Sequence, residues 1–388
     1  MNKIYNAYDR YGASSQKQDV FNAIKNLSHG ISTTTFCNLF PSPFDKQLIA
    51  LHADGAGTKS ALAYIYYRET GDLSVWENLA IDAIVMNTDD ILCIGSTGPF
   101  YLTNIIGRNR NLINQDVISA IIQGFEKFTN KMSEYNIDIM LTGGETADIG
   151  DLTKTLTLDA VAASFISENH YIDNKNIQNG DVIIGLESTG QAHWEDMPNS
   201  GIGSNGLTLA RHTLLNNIYK NLYPESFDNN TENDLIYSGN YLLTDESPIA
   251  GLDMGKFILS PTKTYLPIMK EIFKHHLNEI HGAIHCTGGG QIKVKRFINN
   301  LRIIKNNLFT VPALFEMIKT SANIDWRQMY EIFNMGHRLE LYVPADLASE
   351  IITISEKYKV KAKQIGYVES NDTTEIVIDS EHGVFVYN

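Results

Sequence analysis

Asp54-Gly-Ala-Gly-Thr-Lys59 places an acid, two glycines, a hydroxyl and a lysine between an apolar run, Leu48–Leu51, and a helix-like stretch from Lys59 to Glu69. A strand that delivers a glycine turn to a helix start can hold phosphate. Glycine lets an anion approach backbone N–H groups, and the helix N-terminus favours negative charge. Gly55, Gly57, Thr58 and Lys59 are the residues that could form such a cradle. The spacing is not that of a P-loop, which needs a glycine directly before the lysine. A tight strand-to-helix turn with a surface lysine is the alternative.

Trp76–Ile94 reads as a helix carrying Asp82, Asp89 and Asp90 among Ile81, Ile84, Val85, Met86, Ile91 and Leu92. Positions 82 and 89 are about two turns apart and share a face. Carboxylates inside an apolar segment need partners, because burying an unpaired charge is costly. Magnesium held between protein oxygens and nucleotide phosphates is one such partner; water on the polar side of a surface helix is the other reading. Ile137–Leu141 is a short strand running into Thr142-Gly-Gly-Glu-Thr-Ala-Asp148, which repeats the first device. Gly282–His285 does so again with Thr287-Gly-Gly-Gly290. Gly201-Ile-Gly-Ser-Asn-Gly206 matches the dinucleotide fingerprint, but about fifteen residues separate it from the strand Asp181–Leu186. A helix-opening loop capped by Ser204 or Asn205 fits it better.

The elements that must position these groups follow in order. Ser15–Leu27 is amphipathic, with Val20, Phe21, Ile24 and Leu27 on one face, Ser14 or Ser15 as cap, and Lys25 beside that face. Pro41–Lys46 is a loop. Strands are expected at Pro99–Gly107 and Leu156–Ile166, with a helix over Asn114–Tyr135. Between 167 and 180 the composition turns polar, and a boundary there divides the chain into 1–170 and 171–388. The loop 187–204 is long enough to suggest a functional or mobile segment. Asn229–Asp234 is a surface excursion. Pro261–His276 is a helix, Arg338–Val343 a strand followed by a helix to Lys359, and Gln364–Val368 and Glu375–Ile378 are closing strands. Interleaved helices and long antiparallel-looking strands suit an α+β class as well as a parallel sheet.

A chain of 388 residues can bury two cores. Lysine plus arginine is 31 against 45 acids, a net charge of −14. That opposes non-specific binding of nucleic acid or anionic membrane. A phosphate ligand would then need a local cluster of cations, with a divalent ion. Cys37, Cys93 and Cys286 are too widely spaced to suggest a disulfide framework or a zinc motif. No apolar signal core or membrane-spanning run is present in the sequence, so the cytoplasm is expected.

Singly these turns are weak signals; their order is specific. D-G-A-G-T-K at Asp54–Lys59, the aspartate helix, G-G-E-T-A-D at Gly143–Asp148, G-D-V-I-I-G-L at Gly180–Leu186, S-N-G at Ser204–Gly206, S-P-T-K at Ser260–Lys263, T-G-G-G at Thr287–Gly290 and F-N-M-G at Phe333–Gly336 form one series. Over nearly the whole chain it resembles the phosphoribosylformylglycinamidine cyclo-ligases, or aminoimidazole ribonucleotide synthetases. Selenophosphate synthetase, thiamine-monophosphate kinase, a hydrogenase maturation factor and the large formylglycinamidine ribonucleotide amidotransferase belong to the same superfamily. The late S-P-T, T-G-G-G and F-N-M-G segments and the chain length favour the cyclo-ligases.

The resemblance implies ATP-dependent ring closure in purine synthesis. ATP phosphorylates the formyl amide oxygen, the amidine nitrogen closes the imidazole, and ADP and phosphate leave. It implies ATP and Mg2+ as cofactors and a small ribonucleotide substrate. Gly55, Gly57, Thr58 and Lys59 would line the triphosphate, with Gly143, Gly144 and Thr146 also at the nucleotide. Asp54, Asp82, Asp90 and Glu145 would hold magnesium, with Asp89 and Asp148 as second choices. Lys25, Lys59 and Asp90 would serve catalysis, and Ser204, Asn205, Gly288, Gly289 and Gly290 would face the substrate. The implied fold is two α+β domains. The N-terminal sheets of a homodimer join into a barrel, and the second domain is a mixed sheet packed with helices.

Several positions depart from the family. Gly203 stands where a histidine suspected in catalysis would fall, and the preceding loop, Gln191–Ile202, is longer. His193 in that loop is the candidate to reach back; a solvated loop histidine is the alternative. Ser32–Phe36 replaces a glycine-rich loop over the nucleotide, and Ile149-Gly-Asp151 replaces methionine-proline-glycine. Two further readings follow: another ATP-dependent reaction of the superfamily, or a non-catalytic nucleotide-binding paralogue, which would not need all the retained acids. Selenophosphate synthesis is disfavoured because the N-terminal arm ahead of Cys37 holds no cysteine, and the hydrogenase factor because the sequence ends in Val386-Tyr-Asn388.

Overall fold

The computed structural model describes residues 8–12, 18–24, 26–28 and 30–388. Ser14, Ser15 and Lys25 lie outside them. Helix α1 covers Gln18–Ile24. Of the apolar face expected for it, Val20 and Leu27 are exposed.

The first half builds a five-stranded sheet in the order β1-β2-β5-β3-β4. Its strands are β1 (Leu39–Pro41), β2 (Gln47–Gly55), β3 (Phe100–Arg108), β4 (Ile139–Asp148) and β5 (Leu156–Ser167). Every ladder is antiparallel except β3–β4. Helices α2 (Lys59–Thr70), α3 (Ser74–Leu92) and α4 (Gln115–Ser133) accompany it, with α3 packed on β2 and β5. The side chain of Asn114 caps α4 by accepting from the Val117 N–H at 3.1 Å. Period-two burial marks the covered face: Leu156, Leu158, Ala160 and Ala162 are buried. On the opposite face Leu51, Tyr101 and Ile105 stay exposed.

The second half forms a seven-stranded sheet in the order β12-β11-β8-β10-β6-β9-β7. These are β6 (Val182–Glu187), β7 (Gly282–His285), β8 (Leu301–Lys305), β9 (His337–Val343), β10 (Ala362–Ser370), β11 (Glu375–Ser380) and β12 (Gly383–Tyr387). The sheet is mixed, because β11 runs parallel to β8. Its helices are α5 (Leu207–Leu214), α6 (Ile218–Leu222), α7 (Met254–Ile258), α8 (Leu266–His276), α9 (Ala313–Ala322), α10 (Trp326–Ile332) and α11 (Ala348–Lys357). The class is α+β. Helix α3 is buried almost all round because its remaining sides meet α4 and α8.

Local differences from the sequence expectations have physical causes. Strand β4 does not stop before Thr142 but continues through the glycines, because a bulge lets pairing to β3 resume: Leu102 faces Leu141, then Asn104 faces Gly144. Thr142 Oγ1 and Thr103 Oγ1 donate across this bulge to Leu102 O and Gly143 O, each at 3.1 Å. Helix α8 begins at Leu266, with Pro267 in its first turn, and not at Pro261. The segment 261–265 stays outside the helix and donates to Asp82 and Asp89. Neither Ser204 nor Asn205 caps α5; Gly206 does, with φ +76°, and a Cβ there would lie 2.1 Å from the Phe333 ring.

Candidate active site

Strand β2 alternates, so His52 and Asp54 share the face that meets α3. Asn87 of α3 fixes them. Its Nδ2 faces the carbonyls of Asp54, Ala83 and Ala160 at 3.0, 2.9 and 3.2 Å, which leaves Oδ1 to accept from His52 Nδ1 at 3.1 Å. His52 Nε2 lies 3.3 Å from Asp90 Oδ2, and His285, at the end of β7, places Nδ1 2.6 Å from Asp90 Oδ1. Arg338 Nε donates to His285 Nε2 at 3.2 Å, so the His285 proton sits on Nδ1 and points at Asp90. Asp90 is therefore a hub between the two halves of the chain. Burial pushes its pKa up, but Lys293, His285 and His52 overcome that and hold it at about 2. Asp54, which accepts from the Gly55 N–H at 2.7 Å, is raised by burial and by the Asp90 charge. Burial lowers His285 to about 4 despite Asp90.

Asp82 and Asp89 do share a face, and both receive the segment before α8. Asp82 Oδ1 accepts from the Thr262 N–H at 2.8 Å and its hydroxyl at 2.6 Å. Asp89 accepts from Thr264 Oγ1 at 2.7 Å and the Tyr265 N–H at 2.9 Å. Lys59 Nζ lies 2.9 Å from both Asp82 oxygens and donates to the carbonyls of Ser260 at 2.6 Å and Gly203 at 3.2 Å. These contacts revise two expectations. The partner of Asp82 is a buried lysine, not a metal, and the Lys59 ammonium turns inward to the second half of the chain rather than toward a triphosphate. Burial lowers the Lys59 pKa, with Asp82 opposing the shift.

Burial also raises Asp89, to about 7, against its two hydrogen bonds. A folded-state value above the unfolded one of about 3.9 means that stability is lost as pH rises between the two. Asp89→Asn does not ionise, and its amide can accept from the Tyr265 N–H through Oδ1 while Nδ2 donates to Thr264 Oγ1, reversing that one contact. The stability difference between variant and wild type should therefore move in favour of the variant from pH 4 to pH 7, read by paired thermal melts. A constant difference would contradict the assignment.

The remaining residues are dispersed. Gly55, Asp159, Ile105 and Glu145 lie in one row across β2, β5, β3 and β4. Glu145 is thus three strands from Gly55, roughly 14 Å, and on the face opposite Asp54. It does not join Asp54 and Asp90 within one chain, and Gly143, Gly144 and Thr146 are exposed beside it. Asp148 pairs with Arg108 at 2.7 Å on the surface. His193 is exposed, its backbone N–H donates to the Tyr358 carbonyl at 3.2 Å, and its ring centre lies 6.4 Å from that of Tyr358. Its loop is anchored: Trp194 is buried between Tyr135 and Tyr358, and Glu195 pairs with the buried Lys263 at 3.3 Å.

Two expected segments do meet. A Cβ on Gly288 would lie 3.8 Å from Asn205 Nδ2, so the Gly288–Gly290 and Ser204–Asn205 turns face each other. Gly57 has φ +56°, and with Thr58 it borders a cavity of about 520 Å³ that Arg211 also lines. A side chain at Gly55 would strike Asp159 Oδ1 at 2.1 Å.

His52, Asn87, His285, Lys293 and Arg338 were not anticipated. The two-residue step from His52 to Asp54 was a usable signal for one strand face; the others come from distant segments. Among the described residues the trio able to ligate an ion unaided is Cys286, His337 and Glu340, deep in the second sheet. Lys305 already neutralises Glu340 there. The acids expected to hold magnesium form no such trio. Asp54, raised by burial and by its carboxylate neighbour Asp90 and not paired with a cation, fits a metal that phosphate oxygens would complete.

Comparison with known proteins agrees with this architecture. Residues 40–165 match the family described as AIR synthase related protein, N-terminal domain, and residues 178–379 match its C-terminal domain. The chain belongs to the AIR synthase related family. A phosphoribosylformylglycinamidine cyclo-ligase of Methanococcus vannielii is 29% identical over 338 residues, 87% of this chain and 81% of that one. A Clostridium novyi protein of the same name is 28% identical, covering 90% of each. Among solved structures, Thermotoga maritima PurL complexed with FGAR superposes with a TM-score of 0.56 at 15% identity, covering 96% of this chain. The chain spans 49% of that protein's length. A hydrogenase maturation protein, HypE, gives a TM-score of 0.54 at 11% identity, with 90% of each chain covered. These structures carry the same fold.

Proposed function

We propose that the protein is an ATP-dependent cyclo-ligase that converts formylglycinamidine ribonucleotide to 5-aminoimidazole ribonucleotide, releasing ADP and phosphate, in purine biosynthesis. The observation that carries the proposal is the Asp54–Asp90 pair, placed where β2 enters the Gly57 turn and wired through His285 to the strand preceding the Gly288–Gly290 turn. The names of relatives that cover most of this chain support the same reaction. Phosphoryl transfer needs charge stabilisation more than a protein nucleophile. Gly55, Gly57 and Thr58 would receive phosphate at the start of α2. Asp54 would hold Mg2+, which when bound neutralises phosphoryl charge. Ser204, Asn205 and the Gly288–Gly290 turn would face the ribonucleotide. A division after residue 170 and a cytoplasmic location belong to the same proposal.

Purified protein with formylglycinamidine ribonucleotide, ATP and magnesium should yield ADP and aminoimidazole ribonucleotide. No turnover alongside an active cyclo-ligase would refute the reading. ADP release with another small substrate would then favour a different reaction of the superfamily.

The open face of the first sheet supports a homodimer, with Leu51, Tyr101 and Ile105 exposed at 67%, 40% and 45%. Pairing two such faces would bury them in a barrel and bring Glu145, which lies on that face, toward the partner. Leu51→Glu should shift the chain from dimer to monomer in sedimentation. A monomeric wild type at micromolar concentration would exclude the barrel.

A further inference from the structure

Arg338 is 1% exposed, yet its partners are neutral. Nε donates to His285 Nε2 at 3.2 Å, Nη2 donates to the Lys263 carbonyl, and Nη1 has no partner. Tyr265 lies under the guanidinium, 5.6 Å from ring centre to Cζ. Its nearest cationic neighbours, Lys59 and Lys263, are committed to Asp82 and Glu195. A buried guanidinium with one free edge and no carboxylate hydrogen-bonded to it, Asp89 acting on it only through space, is costly to the isolated protein, and an arriving anion would relieve it.

The backbone aims this group. Leu186 faces Leu339, but Glu187 faces His337, so Arg338 is the extra residue of a bulge in β9 and leaves the regular alternation. Nη1 comes to rest beside Gly203. A Cβ at that glycine would lie 3.1 Å from Nη1, and Gly203 itself has φ +68°. Arg338 thus takes the space that a side chain at 203 would occupy, the position where the family's histidine is missing. Ser204 and Asn205, partly exposed, follow immediately and lead into α5.

We propose that Arg338 receives an anionic, phosphate-like oxygen of the substrate beside Gly203, supplying the positive charge that a histidine at 203 would otherwise bring. The identity of the substrate rests on the cyclo-ligase reading; the anion site does not. Arginine suits the task because its planar fork offers fixed donors and it stays charged when buried. His285 links the group to Asp90, so charge arriving at Nη1 is felt at the hub.

The test compares full-length wild type, Arg338→Gln and Arg338→Lys by thermal melting with inorganic phosphate, and by turnover. Phosphate should raise the wild-type melting temperature more than that of Arg338→Gln, with Arg338→Lys between them. With formylglycinamidine ribonucleotide and ATP, Arg338→Gln should lose about 10²-fold in kcat/KM. Combining Gly203→His with Arg338→Gly should recover part of the activity that either change alone removes. Equal phosphate stabilisation in wild type and Arg338→Gln would overturn the site. If Arg338→Gln does not fold, a phosphate response of Arg338→Lys equal to wild type, with no recovery in the double variant, would overturn it as well. Phosphate stabilisation that depends on Arg338, in a wild type without turnover, would support the anion site and reject the cyclo-ligase reading.

Discussion

Lys59→Met should destabilise the protein by about 3–5 kcal/mol, because it leaves Asp82 as an uncompensated buried carboxylate. Lys59 and Asp82 are each about 1% exposed, and the ammonium also ties down the carbonyls of Gly203 and Ser260. One lysine therefore holds α2, α3 and two loops of the second half together. The paired change Lys59→Met with Asp82→Leu removes both charges and should recover much of the loss, although the Thr262 hydrogen bonds go with it. Chemical denaturation of the three variants measures this directly. A Lys59→Met protein with wild-type stability but abolished nucleotide affinity would return Lys59 to the phosphate loop and refute the inward-facing role.

Asp90→Asn should lower turnover by about 10²- to 10³-fold and cost a few kcal/mol in stability. The carboxylate accepts from His285 at 2.6 Å and lies 3.3 Å from His52 Nε2, and Lys293 is the largest influence holding it ionised. An amide keeps the shape but gives up the charge, so buried Lys293 loses one of the two carboxylates, Asp90 and Asp54, that it acts on. It also removes the acidic neighbour that raises Asp54, whose pKa should fall in the variant. Steady-state kinetics with denaturant unfolding tests the first two effects, and a carboxyl-resolved titration tests the third. Unchanged turnover in a folded Asp90→Asn protein would exclude the hub from the reaction.

The two effects separate neighbouring acids on one helix. Asp82 and Asp89 meet the irregular segment 261–265, whereas Asp90 meets histidines from β2 and β7. Helical period alone accounts for the split. Positions 82 and 89 lie on the same side, and a single-residue step from 89 to 90 turns the side chain by about 100°. A run of acids that reads as one metal site in the sequence is in space two interdomain anchors and one hub.

The sequence by itself determined the local elements and the family. Strand-to-glycine turns, the apolar helix with its acids, and the order of motifs are properties of short stretches, and propensity and periodicity report them directly. It also flagged that Asp82, Asp89 and Asp90 must find partners, since the cost of a buried charge does not depend on the fold. Only the tertiary structure decided who those partners are. His285, Lys293 and Arg338 approach the Asp90 hub from strands and turns roughly 200 to 250 positions away, and no local pattern encodes that distance. Sheet register, set by long-range pairing, put Glu145 on the face opposite Asp54. The opening stretch divides the same way: Gly55 and Gly57 keep the backbone geometry their residue types imply, while Lys59 turns inward because a buried aspartate from the neighbouring helix requires its charge.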